Sequence, residues 1–209
     1  MIKATLMDYM GSDITVVNAA RVSFGKKSSN TYTTDKDEKL IWYLAEHRHM
    51  SPFGHCFASF HVKAPIFVAR QLVKNKFLRW NEVSRRYVDD EPELYEAPIW
   101  RGRAEDKKQG SEGEVISNAN VFYHNTQSLM IYKQLINEGV CPEQARMVLP
   151  QSMMTEWYWS GSLDAFADMC TLRCKPDTQY ESQLVANQID DMMSEKFPVS
   201  WEALRMYAE

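Results

Sequence analysis

Apolar side chains recur along this chain at two periods, and the switches between them sketch the fold. Positions 56–62 alternate, placing Cys56, Ala58, Phe60 and Val62 on one face, as in a half-buried strand. Ile2–Met7 and Met153–Trp159 read as two further strands. Helical spacing instead groups Val16, Val17 and Ala20 in a helix over 13–22, capped by Ser12 or Asp13. Leu40, Ile41, Leu44 and Ala45 share a face of a second helix, which opens with a capping pattern at Thr34 and runs to Glu46. Pro65 suits the first turn of a helix reaching about Phe77, with Arg70 and Lys74 on one side.

The last third is mostly helical in pattern. A long helix ends at Glu138 before Gly139, and a shorter one runs from Cys141-Pro142 to just before Pro150. Ser162 caps a helix through Arg173, followed by helices over Thr178–Phe197 and Ser200–Tyr207. Gly25–Thr33 and Ala104–Gly113 lack apolar rhythm and read as loops, the second the more mobile. Helices and strands mix without regular βαβ alternation. The expected class is α+β, a mixed or antiparallel sheet flanked by helices, in a single domain over 1–209.

Composition narrows the function without naming it. A content of 44% hydrophobic and 25% charged residues is that of an ordinary globular protein. No stretch approaches a membrane-spanning length and Met1-Ile2-Lys3 opens no signal-peptide core, so a cytoplasmic protein with no membrane partner is expected. A net charge of −4 argues against a protein that coats nucleic acid. The four cysteines are too few and scattered for a disulfide framework. His47, His49, His55 and His61 lie close together but without a carboxylate pattern, so no metal is expected.

Against the acidic background, residues 70–86 carry six cations and a single acid: Arg70, Lys74, Lys76, Arg79, Arg85 and Arg86, with Glu82. A solvated charged face is the plain reading. Interleaved Phe77, Leu78 and Trp80 are awkward for such a face, and the excess charge wants an anionic partner. Asn81–Tyr87 adds an amide, a hydroxyl and a phenol, a mixture suited to a nucleotide. No glycine-rich phosphate cradle is present, so side chains must hold any nucleotide. Arg146 and Arg173 sit on short apolar helices, where each either answers helix carbonyls or projects into a pocket to stabilise charge on a bound ring.

The segments His47–His55, Phe60–Gln71 and Asn81–Tyr87, with Ala19–Phe24, Arg146–Pro150 and Leu172-Arg173, resemble the flavin-dependent thymidylate synthases in order and spacing over nearly the whole chain. The resemblance implies an α+β fold and a homotetramer with active sites at subunit junctions. It implies conversion of dUMP to dTMP with 5,10-methylenetetrahydrofolate as one-carbon donor, hydride from reduced FAD, and NADPH as the flavin's reductant. Gln71, Leu72, Val73, Lys74, Glu82, Val83, Ser84, Arg85, Arg86, Arg146 and Arg173 then fall in the dUMP-binding set. Arg173 matches the arginine that promotes ionisation of the uracil ring, with no enzyme nucleophile.

Ser51, Lys74, Asn75, Lys76, Glu82, Ser162, Leu163, Asp164 and Asp168 fall in the FAD-binding set, and His49 lies near the flavin ring. The family's Arg-His-Arg stands here as Lys74-Asn75-Lys76, which trades forked contacts for point charges. Ser162, Asp164 and Asp168 replace Asn, Arg and Asn, and Asp177 replaces a histidine. Two other functions remain compatible with the residues: a flavin-free nucleotide-binding module, and a single-strand nucleic-acid binder using Lys74–Arg86 and Trp80.

Overall fold

The computed structural model describes residues 1–27, 30–105 and 110–207. A four-stranded antiparallel sheet is its centre, in the order β1-β2-β6-β3. The strands are β1 (Lys3–Met10), β2 (Phe57–Pro65), β3 (Arg79–Glu82) and β6 (Met154–Ser162). Inward residues of β2 follow the alternation read from sequence: Cys56, Ala58, Phe60, Val62 and Ala64 are all buried. Phe60 pairs in register with Trp159 on β6, and both pack edge-on against Phe166. Truncating a ring such as Phe166 would cost about 3–5 kcal/mol.

Helices cover this face. α1 (Asp13–Arg21) and α2 (Asp35–Glu46) lie at one end of the sheet, while α6 (Leu163–Arg173), α7 (Tyr180–Lys196) and α8 (Pro198–Met206) form the main layer. The Thr34 cap forms as its pattern predicts, its backbone N–H and hydroxyl both donating to Asp37 at 2.8 Å. Asp37 is buried and ion-paired with Arg21 at 2.6 Å. Burial pushes its carboxyl up, but Thr34 and Arg21 outweigh that and hold it below the usual carboxylate range. Ser162 occupies the cap position of α6, although its side chain makes no capping bond.

Three sequence expectations are corrected. The helix after Pro65, α3, covers only Ile66–Leu72. Asn75 donates to Leu72 O at 2.7 Å and Phe77 takes φ +63, so the chain turns there, and Lys74 lies outside the helix that was to align it with Arg70. Arg79–Glu82 forms a strand, pairing with Trp157–Ser160 of β6. Gly161 makes this possible, since a side chain there would collide with Leu78. The 104–113 segment is not all loop. β5 (Ser111–Val115) pairs with β4 (Trp100–Arg103), and residues 106–109 lie outside the described ones. Ser28 and Ser29 of the other predicted loop also lie outside them. α4 (Val121–Asn137) stops as expected at Gly139, which takes φ +87, and α5 (Pro142–Ala145) follows.

Candidate active site

Helix α3 divides two cavities of similar size. Ile66 and Arg70 face one of about 670 Å³, and Phe67 and Gln71 face the other, of about 690 Å³. Side chains at this spacing diverge around a helix, so neighbours in sequence serve different spaces.

The Arg70 cavity collects Glu82, Val83, Ser84, Arg85, Arg86 and Arg146, which sequence reasoning had grouped from two distant segments. Strand β3 sets them there. Trp80 stacks on buried Trp157 at 4.4 Å and 18°, anchoring the strand, and the chain beyond it turns across the cavity. Glu82 forms no ion pair among the described residues. Its two carboxylate oxygens accept from Trp80 Nε1 (3.1 Å) and Thr155 Oγ1 (2.9 Å). The excess positive charge therefore remains. Arg85 is partly used, donating to Asp90 at 2.9 Å, and Arg86 donates through Nε to Ser84 Oγ at 3.2 Å. Arg146 spends one nitrogen on Glu143 O, and Arg70 has no polar partner among the described residues. Sequence analysis flagged Arg70 as a cation but left it out of the binding set. Its place on the cavity wall follows from the short α3, which no local pattern announced.

Gln71 and Arg173 lie elsewhere. Gln71 is on the other cavity, bonded to Gln179 and accepting from Ser182 Oγ. Arg173 Nη2 donates to Gln71 O at 3.3 Å, and its Nε is buried without a partner among the described residues. Burial lowers the guanidinium pKa. Within one chain, then, the predicted dUMP residues divide between the faces of α3. Leu72 is fully buried in the core, so its side chain is closed to any ligand, and Val73 is exposed at the helix end.

Only part of the second predicted group lies together, and Glu82 belongs to the Arg70 cavity. Leu78 lies against Gly161, which brings the Lys74-Asn75-Lys76 turn beside the β6–α6 junction at Ser162. Leu163 N donates to Cys56 O, and Leu163 itself is buried. Lys74 and Lys76 are exposed, with no hydrogen bond or ion pair among the described residues, whereas the Asn75 side chain is spent on Leu72. Asp164 has one buried carboxylate oxygen without a partner among the described residues. Asp168 is held above the usual range by burial and by Asp164, against the opposing pull of Arg48. Ser51 and His49 are exposed in the turn after α2, where His49 meets Tyr43 edge-on at 6.0 Å and Tyr43 stacks on His47 at 4.0 Å.

No cysteine lines either cavity among the described residues, although exposed Cys141 caps α5 two residues before Glu143 of the Arg70 cavity. Burial pushes Cys56 up to about 12, and Cys170 is likewise raised by burial. Cys174 is lowered by its hydrogen bond from Cys170, and both lie near Asp190. That carboxylate already accepts from Trp201 Nε1 and Arg205 Nε at 3.0 and 2.8 Å, so a cation occupies its charge. Among the described residues no helix is long and apolar enough to cross a membrane.

Comparison with known proteins places the chain in a family. The sequence model of a family described as "Thymidylate synthase complementing protein" matches residues 5–199. A flavin-dependent thymidylate synthase of Thermus thermophilus is 40% identical over 201 residues, covering 95% of this chain and 73% of its own. One from Kosmotoga olearia is 38% identical over 209 residues, covering 97% and 90%. Among solved structures, the UMP/dUMP methylase PolB of Streptomyces cacaoi superimposes with a TM-score of 0.87 when bound with 5-Br dUMP and 0.84 when bound with 5-Br UMP. In the first the identity is 28%, with 100% of this chain and 96% of that one covered. A match that runs from β1 into α8, with more than a third of positions identical in the named relatives, establishes the kinship: the chain is an enzyme that belongs to the flavin-dependent thymidylate synthases.

Proposed function

We propose that the chain catalyses reductive methylation of dUMP to dTMP, with 5,10-methylenetetrahydrofolate as one-carbon donor, reduced FAD as hydride source and NADPH as the flavin's reductant. The observation that carries this reading is the cationic cavity of about 670 Å³ bounded by Ser84, Arg86 and Arg146. Its guanidinium groups and hydroxyl suit the phosphate of a nucleoside monophosphate, and its volume suits the sugar as well. Glu82, fixed at both oxygens, presents its remaining acceptor capacity to a sugar hydroxyl.

The pyrimidine is the task of Gln71 and Arg173. A half-buried guanidinium stabilises negative charge on a ring oxygen as the neighbouring ring nitrogen loses its proton. The electron-rich ring then attacks the one-carbon donor without a protein nucleophile, in keeping with the raised Cys56 thiol and with cavity walls that include no cysteine among the described residues. Because α3 separates Arg173 from the phosphate residues within one chain, the reading requires two copies, each giving half of a site. A homotetramer working in the cytoplasm satisfies it.

Bound FAD would supply the hydride. The residues present fit it unevenly. Lys74 and Lys76, free and exposed beside Ser162, suit a pyrophosphate as point charges. Asp164 and Asp168 do not, and fit the hydroxyl or amino donors of the cofactor's sugar and base instead. Ser51 and His49 lie just before the Phe53–His55 turn, which packs against α6.

The test is a spectrum and an isotope. Purified protein should be yellow and release tritium from 5-tritiated dUMP only with both methylenetetrahydrofolate and NADPH present. Protein that cannot be loaded with FAD, or that releases no tritium, contradicts the reading.

A further inference from the structure

The cavity on the Gln71 side of α3 has walls of two kinds. Phe67 and Tyr95, with ring centres 6.1 Å apart, join Trp100 and Phe122 in an aromatic lining. Arg101 and Asn125 complete it. Arg101 is fixed from three directions: Nε donates to Ser111 Oγ at 2.8 Å, Nη2 donates to Glu181 at 2.5 Å, and the guanidinium lies over Tyr180 at 4.8 Å. Its remaining Nη1 is buried and has no partner among the described residues. Asn125, 5% exposed on α4, likewise has a buried Nδ2 without a partner among the described residues.

Folded proteins leave few buried donors unpaired. Two on the walls of one cavity mark an acceptor that the described residues do not provide. Phosphate is a poor candidate, because Glu181 already neutralises Arg101 and the cavity gains no net positive charge from the pair. The rings call for a flat partner. Tyr95 adds a possible third donor, its hydroxyl kept protonated by burial and by the nearby Glu181.

We propose that this cavity binds a planar heterocycle through an amide-type ring carbonyl, with Arg101 Nη1 and Asn125 Nδ2 as its donors. The assignment rests on the methylation reading, which brings two rings of that chemistry, the pyrimidine of the nucleotide and the pteridine of the folate. Gln71 lines the same cavity and receives Arg173, so either ring would lie within reach of the charge-stabilising group.

The test uses the assembled, FAD-loaded enzyme and the variant Asn125→Leu, which removes an unpaired donor and so should leave the melting temperature unchanged or higher. Calorimetric titrations with dUMP and, separately, with folic acid give the two affinities. The expected result is at least a fivefold loss for one ligand with the other held within twofold. A loss confined to dUMP assigns the cavity to the pyrimidine, and one confined to folic acid assigns it to the pteridine. Affinities within twofold for both ligands, or an equal loss of both, overturn the proposal. Should Asn125→Leu fail to fold, Trp100→Ala, on an exposed wall residue, is read by the same criteria. Failure of wild-type protein to bind dUMP at all would instead count against the methylation reading.

Discussion

The two cavities beside α3 are nearly equal in volume and opposite in character. One, at about 670 Å³, gathers Arg70, Arg85, Arg86 and Arg146 around a hydroxyl against two wall carboxylates, Glu143 and a Glu82 held by Trp80 and Thr155. The other, at about 690 Å³, is aromatic, and its principal cation and anion cancel in the Arg101–Glu181 pair. Uncompensated charge selects a charged ligand, while compensated charge with unpaired N–H groups selects a neutral acceptor. A nucleotide has both parts, a dianionic phosphate and a flat carbonyl-bearing ring. The contrast teaches that one helix can serve both chemistries by turning adjacent residues to opposite sides.

Substitutions should separate the two halves by kinetic signature. The largest effect is expected at Arg173→Ala, where loss of a buried charge-stabilising group should lower kcat by about 10²–10³ with little change in dUMP affinity. Equal losses in kcat and dUMP binding would erase the distinction between the halves. Arg146→Ala should do the reverse. A charge-assisted bond is worth roughly 1.5–3 kcal/mol, so KM for dUMP should rise by about ten- to a hundredfold while kcat is nearly kept.

Smaller effects sharpen the boundary. Lys74→Gln and Lys76→Gln should each weaken FAD binding by up to about fivefold, as expected for exposed ion pairs, and the loss should shrink in high salt. A spectroscopic FAD titration at two ionic strengths checks this. Ser84→Ala should be mildest. Its hydroxyl accepts from Arg86 and shares the phosphate with several cations, so steady-state rates should show KM rising only a few-fold. Abolished turnover with normal dUMP binding would give Ser84 a chemical role that this account denies it.

Much of this was legible in the chain because the signals were local. The alternation of Cys56–Val62 and the Thr34 cap depend on neighbours a few residues away, and both appear where the pattern puts them. The cationic run 70–86 gave the phosphate side, since Ser84–Arg86 follow one another directly. What failed was set by distant packing. Strand β3 is short and crowded with charge, and it exists because Trp80 rests on Trp157 and Gly161 admits Leu78. The early end of α3 depends on the Asn75 bond and the strained Phe77 turn. Arg101 and Asn125 were invisible for a similar reason. They meet only when β4 and α4 are brought to the same cavity, and the 104–113 stretch, which contributes to β5, the partner strand of β4, read as loop.

The central claim is that the phosphate-binding half and the ring-ionising half of a site come from different copies of the chain. Mixing the Arg146→Ala and Arg173→Ala proteins under conditions that exchange subunits, and assaying at dUMP far below the raised KM of Arg146→Ala, where each variant alone is nearly silent, tests it most directly. If the halves come from two copies, random reassembly restores complete sites, and activity should climb toward about a quarter of wild type. If one chain carries a whole site, every site in the mixture keeps a defect and activity stays at the level of the separate variants.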